Sequence, residues 1–85
     1  MNPKPWFVYI LECKDGSFYT GTTNDLEKRM TAHAKGKGSK YVAHKGFKQL
    51  LRTKECKDKS DACKAEYQIK SLGKWDKLDW FKQQN

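Results

Sequence analysis

Apolar residues crowd into two short runs near the start of the chain, Trp6-Phe-Val-Tyr-Ile-Leu-Glu-Cys13 and Ser17-Phe-Tyr-Thr-Gly-Thr-Thr23, separated by Lys14-Asp15-Gly16. Both runs are rich in β-branched and aromatic residues around a turn signal, so they read as a β-hairpin. Its register fixes which side chains share a face. A two-residue Asp15-Gly16 turn would place Tyr9 and Tyr19 on opposite faces, whereas a three-residue Lys14-Asp15-Gly16 loop with Gly16 left-handed places them on the same face. The three-residue loop is the expected one. One face then carries Phe7, Tyr9, Leu11, Tyr19 and Gly21, and the other carries Trp6, Val8, Ile10, Phe18 and Thr20. Both faces are apolar, which predicts a sheet covered by helices on each side.

Beyond the hairpin the period changes. Leu26, Met30 and Ala34 recur at four-residue spacing and predict a helix with this buried stripe, capped by Asn24 with Glu27 three residues on, and stopped by Gly36. Arg29 and His33 lie beside the stripe, one turn apart, and can face one pocket. Residues 35–46, KGKGSKYVAHKG, show neither period and read as a basic loop. Phe47 to Cys56 can form a third strand, taken as antiparallel to Trp6–Leu11 so that the most apolar strand is central. Ser60 is the expected cap of a second helix with the stripe Ala62, Ala65, Ile69 and Leu72, ended by Gly73. Glu66 falls at the edge of that stripe, an unfavourable place for an unpaired carboxylate. A last helix, about residues 74–82, offers Trp75, Leu78 and Phe81 for packing, with Trp80 half exposed. The expected fold class is α+β, a three-stranded antiparallel sheet flanked by helices in the order β-β-α-β-α-α, in one domain over residues 1–85.

Charge narrows the partners. The 85 residues include 18 Lys and Arg against 10 Asp and Glu, a formal charge of +8 that favours polyanions, nucleic acid first. No basic amphipathic helix or long apolar run points to a membrane, and the N-terminal segment lacks a signal core, so a soluble cytoplasmic protein is expected. Cys13, Cys56 and Cys63 form no CxxC pair and suggest neither a disulfide framework nor, with only two histidines, a structural zinc site. Lys35, Lys37, Lys40 and Lys45 make the basic loop a candidate nucleic-acid contact. Its Gly-Lys-Gly-Ser lacks the spacing and the preceding strand of a nucleotide-binding loop.

Tyr9, Tyr19, Arg29, His33 and Glu66 together form a set suited to cutting a phosphodiester. In-line hydrolysis needs a base for water, positive charge at the phosphorus and a cation for the leaving oxygen. Arg29 would clamp phosphate oxygens, and one glutamate with phosphate and water is an ordinary Mg²⁺ site. A tyrosine base at neutral pH needs nearby cations or a proton acceptor, which Arg29, His33 and a metal would supply.

These residues also give the chain its resemblance to the GIY-YIG nuclease superfamily, from Val8 to about Phe81. Val8-Tyr9-Ile10 resembles the first signature element, Tyr19-Thr20-Gly21 the second, Leu26-Glu27-Lys28-Arg29 the following helix, and Glu66 the acidic residue of the later helix. The resemblance implies that one of Tyr9 and Tyr19 is a general base, Arg29 the phosphate clamp, Glu66 the ligand of one divalent metal, Mg²⁺ or Mn²⁺, and His33 the histidine found in several members. It departs from the signature at Val8, Thr20, Thr22 and Leu78. The small stand-alone bacterial members, without an attached DNA-recognition domain, are the most similar in outline. Two functions of different class are implied. One is a divalent-metal-dependent DNA endonuclease, structure-selective or weakly sequence-specific, acting in DNA repair or processing, with RNA as a second substrate. The other is a nucleic-acid-binding module that uses the same scaffold without cutting.

Overall fold

Strand β1 (Trp6–Cys13) runs through the middle of the sheet, and four consecutive residues of it, Val8 to Leu11, have no exposed surface. In the computed structural model, which describes residues 4–83, it is followed by β2 (Phe18–Thr23), α1 (Leu26–Ala34), α2 (Lys40–Lys45), β3 (Phe47–Cys56), α3 (Lys59–Lys70) and α4 (Lys74–Gln83). The sheet order is β2-β1-β3 and both pairings are antiparallel, so the most apolar strand is central as expected.

The hairpin takes the three-residue loop. Cys13 N–H donates to Ser17 O at 2.8 Å, Gly16 N–H donates to Cys13 O at 2.9 Å, and Gly16 has φ of 87°. The Asp15 carboxylate braces the loop from inside, accepting from the backbone N–H of Ser17 at 3.0 Å and its hydroxyl at 2.6 Å. Tyr9 therefore faces Gly21 and Leu11 faces Tyr19 across the pair. Two cores result, one on each face. Val8, Ile10, Cys56, Ala62, Ala65, Ile69, Trp80 and Phe81 pack under α3 and α4, while Tyr9, Leu11, Cys13 and Val42 pack with Leu26, Met30 and Phe47 under α1 and α2.

Several local expectations are corrected. The cap of α1 is Asp25 and not Asn24: Asp25 Oδ1 accepts from Lys28 N–H at 3.1 Å, and Thr23 Oγ1 holds Asp25 N–H at 3.1 Å. The α1 stripe continues from Leu26 and Met30 to the buried His33, one turn on, while Ala34 is exposed. The segment 35–46 is not all loop. Ser39 caps the six-residue α2 by accepting from Val42 N–H at 3.2 Å, Gly46 ends it at φ of 85°, and Val42 alone anchors it in the core. Helix α3 is capped by Asp58 and not Ser60, with Asp61 N–H donating at 2.8 Å, and it stops at Lys70, before Leu72 and Gly73. In α4, Trp80 is buried and Trp75 is 68% exposed, the reverse of the expectation. Steps of three residues slip by about 60° each on a helix of 3.6 residues per turn, which carries Trp75 away from Phe81 and brings Trp80 inward.

Candidate active site

The Tyr9 hydroxyl lies 2.9 Å from His33 Nε2, with both side chains buried. Each partner is positioned by a glycine. Opposite Tyr9, Gly21 leaves the space its phenol fills, since a Cβ there would stand 2.5 Å from the hydroxyl; beside His33, Gly38 does the same, at 2.5 Å from Nδ1. The Tyr9 phenol thus reaches across β2, one of the two outer strands of the sheet, on the face covered by α1. His33 is further confined by rings. Tyr9 and Tyr19 meet it edge-on at 5.9 and 5.6 Å, and Phe47 stacks parallel to it at 6.4 Å. His33 Nδ1 is buried without a hydrogen-bond partner among the described residues.

Electrostatics set the resting protonation of the pair. Burial, then the nearby Tyr19 phenol, pushes Tyr9 up to about 12, against the pull of the Arg29 guanidinium beside it, and the Glu66 carboxylate adds a smaller upward push. Burial and the Arg29 charge lower His33, so its imidazole is neutral near pH 7. Tyr9 is therefore a neutral phenol at that pH, with a neutral imidazole as its hydrogen-bond partner.

Four of the five expected site residues share one neighbourhood, and the fifth reaches it by charge. Tyr9, Tyr19 and His33 are in ring contact, and Arg29 and Glu66 are both felt electrostatically at Tyr9. Arg29 comes from α1 on one face of the sheet and Glu66 from α3, which packs along β1 and β2 on the other. Arg29 also lines a cleft of about 220 Å³ with Thr23, Asn24, Asp25, Lys28 and Ala32. Glu66 is partly buried and pairs with the more exposed Lys70 at 3.4 Å. Among the described residues no group of three or more His, Cys, Asp or Glu forms a ready-made metal cage. A lone carboxylate without such a cage fits an ion that keeps most of its water, such as Mg²⁺, better than one that demands several protein ligands.

The four loop lysines divide. Lys35, Lys37 and Lys40 are exposed, whereas Lys45 is tied to Asp15 at 3.3 Å and lies 6.0 Å from the centre of the Tyr41 ring. Tyr41 had no place in the expected site, yet it stacks on Tyr19 at 5.9 Å and 24° and extends the aromatic group to the surface. The signal that could have found it is Ser39, three residues before Val42, in the relation of a helix cap to its first turn.

The family model for the GIY-YIG catalytic domain matches residues 5–79, which takes in all of these side chains. This chain is a GIY-YIG protein. Among its GIY-YIG relatives, a UPF0213 protein of Xanthomonas campestris is 40% identical over 82 residues, covering 96% of this chain and 80% of the relative. A UPF0213 protein of Oceanobacillus iheyensis is 47% identical over 72 residues, covering 85% and 84% respectively. The solution NMR structure of a UPF0213 protein from Bacillus halodurans superposes with a TM-score of 0.55 at 44% identity, covering 89% of this chain and 81% of that one. Membership of the GIY-YIG family makes the chain a nuclease-superfamily protein with nucleic acid as its partner class. Among the described residues of this GIY-YIG chain, no helix is long and apolar enough to cross a membrane.

Proposed function

We propose that the chain is a divalent-metal-dependent endonuclease that hydrolyses phosphodiester bonds in DNA, selecting its site by backbone and shape more than by base sequence, in DNA repair or processing. The observation that carries this reading is the buried 2.9 Å contact between the Tyr9 hydroxyl and His33 Nε2, set beside Arg29. A phenol held near 12 cannot act as a resting phenolate at neutral pH, so the base is the pair. With its proton on Nδ1, the neutral imidazole accepts the Tyr9 proton at Nε2 while the phenol oxygen takes one from the attacking water. Arg29 binds the phosphate, and its positive charge makes this transfer easier by favouring the phenolate. Tyr19 walls the imidazole on the side of β2. Glu66 would hold Mg²⁺ or Mn²⁺ with phosphate oxygens and water, and such an ion would neutralise charge on the phosphate and the leaving oxygen. Lys35, Lys37 and Lys40 would meet the strand outside the site.

Nicking of supercoiled plasmid in Mg²⁺, Mn²⁺ and EDTA tests the reading. Tyr9→Phe is expected to cut at least about 100-fold more slowly, in line with loss of a general base. Glu66→Gln is expected to abolish cutting while DNA affinity holds or rises, because a negative charge is removed from a surface that meets phosphates. The Lys70 pair supports a competing structural role for Glu66, and an i,i+4 helix pair of this kind contributes about 0.3 to 0.5 kcal/mol. Wild-type nicking by Glu66→Gln would leave Glu66 with that role alone. Binding without cutting in any of the three conditions would favour the non-catalytic module.

A further inference from the structure

Away from the Tyr9–His33 pair, the first turn of α4 lies against the first residue of β2. Trp75 keeps 68% of its surface open to solvent, although an indole is among the side chains that gain most from burial. Phe18 meets it edge-on, with ring centres 5.8 Å apart and planes at 89°. Between them stands the Lys74 ammonium, 4.8 Å from the centre of the Phe18 ring and 5.1 Å from that of Trp75. The Phe18 ring meets the indole edge-on, and the cation places positive charge over the indole ring. A largely exposed indole with an ammonium close over its ring suits a base stacked on the ring's open surface and the strand's phosphate drawn to the lysine.

The position ties this feature to the candidate active site. Phe18 is three residues before Gly21 on β2, about 10 Å along a strand, and Gly21 is where the Tyr9 hydroxyl crosses. Trp75 is also on the α3–α4 side of the sheet, the side from which Glu66 enters. A base paired inside a duplex has its faces covered by its neighbours, so only an unpaired or extruded base can use such a surface.

We propose that Trp75, held by Phe18 and flanked by Lys74, is a stacking platform for an unpaired nucleobase of a polynucleotide strand that passes the β2 edge. The proposal rests on the nucleic-acid reading of the chain and narrows its substrate to strands with unpaired bases beside the cut. The test is binding of the full chain in EDTA, where no cleavage intervenes, to fluorescein-labelled oligothymidylate, oligouridylate and a blunt hairpin duplex, each 12 nucleotides or base pairs long. Trp75→Ala is expected to weaken single-strand binding about 5- to 100-fold and to leave duplex binding within about twofold. Trp75→Phe keeps a ring and is expected to lose less than about threefold. The DNA and RNA arms show which sugar the strand carries, and a Trp75-dependent loss in either supports the platform. Wild-type affinity of Trp75→Ala for both single strands, an equal loss on the duplex, or no single-strand binding by the unsubstituted protein would each overturn it. A protein that never nicks DNA yet shows the Trp75-dependent loss would sink the nuclease reading alone.

Discussion

His33 combines a buried imidazole, a lowered pKa and a hydrogen bond to a phenol, and each has a consequence measurable without substrate. The unfolded imidazole titrates at the ordinary value of 6.5, and burial followed by the Arg29 charge lowers the folded one. Between those two values the unfolded chain binds the extra proton, so folding loses stability as pH falls from about 6.5 towards the folded value, and the full contribution is present above 6.5. Thermal melts from pH 7.5 to 5.5 are expected to show a steeper fall in Tm for the unsubstituted protein than for His33→Gln, each referred to its own Tm at pH 7.5. Parallel curves would mean that His33 titrates as freely in the fold as out of it. Much of this residue-level picture is legible in the sequence. The ten-residue steps joining Tyr9, Tyr19 and Arg29, with His33 one turn further on, place these side chains together on a same-face register, and the hairpin has that register. The protonation states are not legible, because they arise from burial that no spacing encodes. Nor is the role of Gly38, whose lack of a side chain matters only where the segment folds back on the His33 ring.

At the scale of elements, the hairpin, the third strand and the central place of β1 come from composition, because a strand apolar on both faces has few stable positions. Helix ends are harder. Asn24 and Ser60 are good caps by type, but Asp25 and Asp58 hold those places, and neighbouring side chains decide between them: Thr23 orients Asp25, and the Asp61 carboxylate accepts from Lys57 N–H at 3.1 Å beside the Asp58 cap. The difference can be measured. Asp58→Ala is expected to destabilise the protein by about 1 kcal/mol through loss of the cap. Ser60→Ala, inside the first turn, should stay within about 0.5 kcal/mol, as surface substitutions do. Urea unfolding of the two variants side by side checks both, and a larger loss for Ser60→Ala would restore the capping role to serine. Helix α2 escapes a periodicity reading because six residues are too few for a stripe, and its signals are confined to its two ends. Tyr41 is hidden with it, since without the helix nothing directs that ring onto Tyr19.

For the whole molecule, the excess of cations is spread unevenly over the candidate contacts. Lys37, before α2, and Lys40, its first residue, are exposed, whereas Lys45 already neutralises Asp15. Each phosphate contact on duplex DNA adds about −0.9 to the slope of log affinity against log salt. With one contact per lysine, Lys37→Ala with Lys40→Ala is expected to flatten the slope by about 1.8, and Lys45→Ala alone by less than the roughly 0.9 of a full contact, in anisotropy titrations from about 50 to 300 mM salt. An unchanged slope in the double variant would place the phosphate-contacting surface elsewhere on the fold.

The outer position of β3 has a practical bearing of its own. Ten residues long, with no fourth strand beside it among the described residues, it offers a free ladder of backbone donors and acceptors on which a second copy could grow. Arg52 and Lys54 stand along this strand, as does Lys48, which is held by Glu12 at 3.8 Å, and the repulsion of such cations between copies is the kind of guard that keeps sheet edges from joining. Salt weakens that guard, and so does any polyanion that neutralises the lysines and the arginine. Colloidal stability is thus expected to be greatest in dilute buffer and poorest at the nucleic-acid ratio that brings the complex to electroneutrality, where turbidity marks the onset of edge-to-edge assembly.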